Sequence, residues 1–433
     1  MEKIYLENSD FIDTEAVKAL GDRVEKEARQ ANYDEEIFCE IASTALESFD
    51  GEIRFDPIAI GRFLSSTAVP QKAFLSFSDL PITLFSNRNF YIEALCWFTA
   101  STAIHSHGFC GAFKVGAGSS LHSKYKFTTE SRMSSKAVAG SLECLSSELL
   151  TKDSIRQIRG GNDGLVHSLF HIEQPSISLL IRSHSSAHFQ PQCVFHPPGL
   201  ALDSFALAKD PETRLVSRLI TVCATHKPDR LGQLLEAKVR DLDFARLSWI
   251  SLENPVAQHS KLDQEKFWDC VNEKHGRDGD LLRAACCKRD SKQRLQNLRS
   301  LTDDRDLRYF LACLLNAPNR RILMEILKDG RPDRDPVEFI ATSITRLSNL
   351  APNPRKLLEE MSNWQNHARY SIPAQLAPIL GESGSKNESS ESSLLKIIRR
   401  DINGKIGHLS ADEKAKLDRL SHFPEFAPIW DFS

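Results

Sequence analysis

Apolar residues recur every three or four positions in DTEAVKALGDRVEKEARQ and YDEEIFCEIASTALESF, within residues 10–48, and acidic residues sit in both first turns. That period predicts two amphipathic helices. From about residue 52 the texture changes. FYIEALCWFT, FCGAFKV, HSKYKFTT, GSLECLSS, GLVHSLFHI and SISLLIRS are short, aromatic or β-branched, and separated by Gly, Ser, Asn and Pro. Such runs predict antiparallel strands closing as a barrel or jelly roll, as far as CVFHPPGLALDSF.

After about residue 209 the pattern is helical again. Leu307, Phe310, Leu311, Leu314 and Leu315 make one apolar stripe in RDLRYFLACLLN. In RDPVEFIATSITRL, Asp335 is placed to cap a helix that begins at Pro336, with Glu338 completing a capping box. GESGSKNESSESS, residues 381–393, reads as a solvated linker. A last helix, SADEKAKLDRL, is capped by Ser410 with Glu413. The fold class expected is α+β. Its parts are an N-terminal helical segment (1–50), a β-barrel (51–200), a helical domain (210–380), the linker, and a helical tail (394–433).

Composition narrows the function classes. With 55 basic against 58 acidic residues in 433, the chain is not a general polyanion binder. The basic stretch CCKRDSKQRLQNLRS is followed at once by LTDDRD and reads as a solvated helix face, so no nucleic-acid partner is expected. The N-terminal residues lack the basic-then-apolar layout of a secretory signal, and no apolar run approaches a membrane span. A cytoplasmic protein with its ten cysteines mostly as thiols is therefore expected. Adjacent Cys286 and Cys287 diverge by about 100° on a helix, which favours packing over a redox pair.

Histidines carry the candidate chemistry. Eight of the fourteen lie between His105 and His196, inside the β segment. In TAIHSHGFCGAFKVGAG, His105 and His107 leave an extended strand on the same face and can offer two lone pairs to one cation. Two partly exposed imidazoles on a sheet surface are the other reading of that stretch alone. GLVHSLFHIEQPSISLLIR adds His167 and His171, and a barrel brings distant strands together. Cys110 has the wrong parity to join the histidine pair.

His-x-His followed by a turn and glycine, with His167 and His171 in a later strand, is similar to the two motifs of the cupin superfamily. LCWFTASTAIHSHGFCGAFKVGAG with GLVHSLFHIEQPSISLLIRS resembles, more specifically, the cysteine dioxygenase-type thiol dioxygenases, over roughly residues 80–190. The resemblance implies a cupin-like barrel holding Fe(2+) through His105, His107 and His167. Gly111 stands where most cupins place a glutamate ligand, as a three-histidine site requires. His171 is assigned a pocket role beside the metal.

Two departures bear on the substrate. In the last barrel strand these relatives carry Ser, His and Tyr facing the iron, where this chain has Ser178, Leu180 and Arg182. The tyrosine is absent, and Gly111 also fills the slot of the cysteine that crosslinks to it. Arg182 shares the parity of Ser178. It either meets an anion in the cavity or reaches solvent at an edge. Arg88, in FSNRNFYIEALCW, lies where the relatives carry a substrate-carboxylate arginine, and a surface turn is the alternative.

The function expected is an O2-dependent non-haem iron oxygenase acting on a small carboxylated thiol or amino-acid derivative. Ser178, His171 and Arg182 are its candidate catalytic residues, and Arg88 and Arg182 its candidate substrate contacts. The alternative is a regulatory metal- or metabolite-binding cupin. It would act through the helical region, where a homodimer or protein partner is also expected to dock.

Overall fold

The computed structural model describes residues 11–71, 78–98, 102–161, 164–254, 261–348, 376, 380, 388–402 and 409–431. Helices α1 (Thr14–Gln30) and α2 (Glu35–Glu47) form where the three-to-four period placed them. Asp13 Oδ1 accepts the N–H groups of Glu15 and Ala16 at 3.0 Å, and Asp34 Oδ1 that of Glu36 at 2.8 Å. Each carboxylate thus satisfies donors that the first turn leaves open. A third helix, α3 (Pro57–Ser66), falls inside the stretch read as β. Asp56 caps it and Pro57 takes its first position.

Eleven strands follow among the described residues: β1 (Leu80–Ser86), β2 (Phe90–Trp97), β3 (Ile104–His105), β4 (Gly111–Ala117), β5 (Ser120–Arg132), β6 (Ala137–Leu150), β7 (Ile155–Ile158), β8 (Val166–His171), β9 (Ser176–Ser183), β10 (Val194–His196) and β11 (Leu200–Leu202). Five make a sheet in the order β1-β2-β9-β4-β7, and six close a barrel in the order β10-β11-β6-β5-β8-β3. The described residues are thus mixed helix and sheet, with one closed six-stranded barrel.

Side-chain alternation gives the five-stranded sheet two uses. From β2, Ile92, Ala94 and Cys96 join Val24, Phe38 and Leu46 of α1 and α2 in one core, with Ile177, Leu179 and Ile181 of β9. The intervening Leu95 and Trp97 of β2 and Leu180 of β9 belong to a second apolar cluster with Phe109, Phe113 and Leu169. One face is therefore covered by helices and the other lines a cavity.

At Gly111 the strands come too close for a side chain. A Cβ there would lie 2.1 Å from the Ile181 carbonyl oxygen and 2.9 Å from Arg182 Cα. Gly111 pairs with Arg182 across β4 and β9, so relief requires moving a central strand. Gly111→Ala should cost about 3 kcal/mol, the upper end for overpacking. Urea unfolding checks this, and an unchanged midpoint would mean that β4 and β9 pair less closely.

The chain divides into two compact units. The first holds the described residues within 1–125 and 149–194, so the N-terminal helices share a unit with the five-stranded sheet. The second takes 126–148 and the described residues from 195 onward. Its α-helices among the described residues are α4 (Ser204–Lys209), α5 (Pro211–His226), α6 (Pro228–Asp241), α7 (Phe244–Glu253), α8 (Lys261–His275), α9 (Arg277–Ser300), α10 (Arg305–Asn316), α11 (Arg320–Gly330), α12 (Pro336–Ser348), α13 (Glu388–Ile402), α14 (Ala411–Ser421) and α15 (Ala427–Trp430). One of its cores joins Ala137, Leu200 and Leu202 to Leu231, Leu235, Phe267 and Cys286.

Two sequence signals have clear counterparts here. Asp335 Oδ1 accepts from Glu338 N at 2.9 Å, and Ser410 with Glu413 forms both halves of a capping box. The linker expectation needs correcting over residues 388–393, which belong to α13. Leu394, Ile397 and Ile398 are buried at helical spacing, and the helix they anchor extends back through ESSESS. Residues 381–387 lie outside the described ones. Cys286 is buried and Cys287 exposed, and none of the ten cysteines is disulfide-bonded. Among the described residues, no helix is long and apolar enough to cross a membrane.

Candidate metal centre and cavity

His105 lies on β3 directly opposite His167 on β8, the two being cross-strand partners. His107 follows at a lone bridge to Gly161. All three rings are buried, and one ligand atom from each lies within 4.8 Å of the others. Among the described residues this is the sole group of three or more His, Cys, Asp or Glu side chains with that geometry.

The outer ring nitrogens are tied down. His105 Nδ1 lies 2.8 Å from the Ala103 carbonyl, and His107 Nδ1 lies 3.1 Å from that of Leu165. A carbonyl only accepts, so both protons sit on Nδ1 and both Nε2 atoms present lone pairs. Yet the two Nε2 atoms are 3.1 Å apart. Two lone pairs at hydrogen-bond distance repel unless a proton or a metal cation lies between them.

Burial makes the proton expensive. It pushes the His105 pKa down to about 4 and those of His107 and His167 well below the ordinary value. A divalent ion fits the spacing better. Two nitrogens each about 2.1 Å from one ion and at right angles are about 3.0 Å apart. Three neutral imidazoles on one side of an octahedral ion leave positions for other ligands.

A pH dependence follows for the metal-free protein. Unfolded, these rings titrate near 6.5, whereas folded His105 titrates near 4. Between those values the unfolded chain binds more protons, so stability rises with pH. The contribution is fully present above the unfolded value and is lost as pH falls towards the folded one. The urea midpoint of metal-free protein should therefore drop from about pH 7.5 to about pH 5, and a flat profile would contradict the burial.

The cavity beside the triad is lined by Glu93, Leu95, Trp97, Thr102, Phe109, Phe113, Ile158, Leu169, Ser178, Leu180 and Arg182 besides the three histidines. With the solvent at its mouth it holds about 520 Å³ between atoms. Ser178, Leu180 and Arg182 all line it, as their shared parity requires.

Arg182 is partly buried and lies between two rings. Its guanidinium carbon is 3.4 Å from the Phe109 ring centre and 5.1 Å from that of Tyr91. Its Nε is buried without an acceptor, and the side chain forms no ion pair among the described residues. Desolvation pulls its pKa down, with Tyr91 and Glu93 pulling the other way. Trp97 Nε1 is likewise buried without an acceptor among the described residues. The cavity wall thus carries two donors that a ligand oxygen would satisfy.

Other candidates lie elsewhere. His171 is absent from both the triad and the cavity lining. Its ring stacks on Trp97 at 4.4 Å, and Nδ1 is 2.8 Å from Ser120 Oγ, so it backs the cavity wall. Arg88 is exposed in the turn between β1 and β2 and is also outside the lining. The structure brings neither to the triad. Cys110 faces the helices, in the core with Phe38 and Ile181.

Sequence reasoning passed over Glu93, Phe109 and His122. Glu93 and Phe109 share the parity of their cavity-lining neighbours, a signal that was available. His122 Nε2 lies 2.8 Å from His167 Nδ1, a contact set by the register between β5 and β8. Set against known proteins, the chain matches no family model and no curated protein. A small β-barrel with three buried histidines close together is compatible with a cupin-like metal site.

Proposed function

We propose that this chain is a three-histidine, cupin-like non-haem iron oxygenase acting on a small carboxylated molecule. The carrying observation is the pair of Nε2 lone pairs held 3.1 Å apart by carbonyl tethers behind them. Bound Fe(2+) would supply the redox chemistry that joins O2 to substrate. His105, His107 and His167 would hold it. Arg182 would take the substrate carboxylate, with Phe109 and Tyr91 keeping its guanidinium plane fixed. Ser178 offers a hydroxyl to the same space, and Trp97, Phe109 and Phe113 give it an aromatic wall. Among the described lining residues there is no tyrosine. A phenol-assisted thiol oxidation is therefore disfavoured against an amino-acid-derived substrate anchored by its carboxylate.

Anaerobic metal analysis, followed by O2 uptake with a panel of carboxylated thiols and amino-acid derivatives, tests the reading. Iron near one per chain and uptake that depends on both iron and a carboxylate are expected. Iron-loaded protein that consumes no O2 with any member would favour a metal-binding protein without oxygenase activity.

A further inference from the structure

His105 and His107 are each tethered by a backbone carbonyl, whereas the contact on His167 Nδ1 comes from another side chain. His122 Nε2 lies 2.8 Å away, with the two rings at 88°. His122 is fully buried on β5, where it pairs with Leu169, two residues beyond His167 on β8. Its ring also meets that of Phe113, a cavity residue, in a T-shaped contact.

The chemistry of that contact differs from the other two. A carbonyl fixes the proton on the facing nitrogen, but an imidazole can give or take it. If His122 Nε2 donates, His167 carries its proton on Nε2, which then points into the triad and cannot bind a cation. If His122 Nε2 accepts, His167 keeps its proton on Nδ1 and turns a lone pair inward. Only the second arrangement completes three inward lone pairs.

We propose that His122 is the positioning residue of the triad, fixing the tautomer and ring plane of His167 so that its Nε2 binds metal. This rests on the metal-site reading above. His122 itself is no ligand, because the nitrogen nearest the triad is used on His167. A neutral acceptor behind a ligating imidazole also raises its basicity. His122 is therefore the one tether of the three that a substitution can remove without touching the main chain.

Full-length protein titrated anaerobically with Co2+ provides the test, with circular dichroism and thermal unfolding of the metal-free forms alongside. His122→Leu removes the acceptor at similar volume and should weaken Co2+ binding about 10- to 100-fold. In His122→Gln the amide oxygen reaches the same point, so binding should return to within a few-fold of wild type. The visible Co2+ spectrum should shift in the Leu protein and recover in the Gln protein, which a merely structural role would not produce. Wild-type binding together with equal binding by a folded His122→Leu protein overturns the tether alone. Should the Leu protein fail to fold, a folded Gln protein with Co2+ binding weakened as much as 100-fold overturns it instead. A wild-type protein that takes up no Co2+ overturns the metal reading itself, and this proposal with it.

Discussion

Replacing His167 by Ala should lower iron affinity by more than about 100-fold, beyond the range for losing a group that merely supports a ligand. The expectation rests on geometry at both ends of the ring. Its inner nitrogen is one of three gathered within 4.8 Å, and His105 is its cross-strand partner. Two remaining imidazoles can still hold an ion, but no longer as a tripod. The variant should fold, because β8 keeps its pairing with β5 through backbone groups. It loses the contact to His122 and leaves that ring facing a small void, at a cost of about 1–3 kcal/mol. Iron per chain after anaerobic loading is the measurement, with circular dichroism as the control. Full occupancy in the His167→Ala protein would remove this residue from the metal site.

The second large effect concerns Arg182 and has opposite signs in two assays. Arg182→Lys keeps a charge but loses the planar fork, so carboxylate affinity should fall by about 1–3 kcal/mol. Arg182→Met, which loses the charge at comparable length, should cost more. In the ligand-free protein the same Met should raise the melting temperature by a few degrees, since it replaces a partly buried cation whose Nε lacks an acceptor and which forms no ion pair among the described residues. Aromatic faces from Phe109 and Tyr91 compensate that cation in part. Cysteine itself is expected to be a poor substrate. Unchanged carboxylate affinity in the Met protein would remove Arg182 from substrate binding.

What the sequence revealed depended on whether the physics was local. Strand alternation is local, and it placed His105 with His107, and Ser178 with Leu180 and Arg182, on the faces the structure gives them. Helix caps are local as well: Asp335 and Ser410 do what their neighbours indicated. Asp56-Pro57 carried the same kind of signal for α3, but it sat in a region already read as strand. Cross-strand register is not local. Nothing within LHSKYKF says that His122 lies behind His167 rather than beside some other residue. Arg88 was placed by likeness to a loop, and the turn from Asn87 to Asn89 is too short to carry its side chain to the cavity. The assignment of 126–148 to the second unit likewise follows from long-range contacts that one strand's pattern cannot show.

The two-sided use of β9 has a consequence for how this protein can change over generations. Ile177, Leu179 and Ile181 hold the sheet to its helices, while Ser178, Leu180 and Arg182 face the cavity. Packing and recognition are thus interleaved along one strand, residue by residue, rather than assigned to separate segments. A lineage can exchange its even-numbered side chains, and so its preferred ligand, while the odd-numbered ones go on being selected for cohesion alone. Gly111 bounds that freedom where it abuts Arg182: the strand may vary what it presents to the cavity, but it has no room to move.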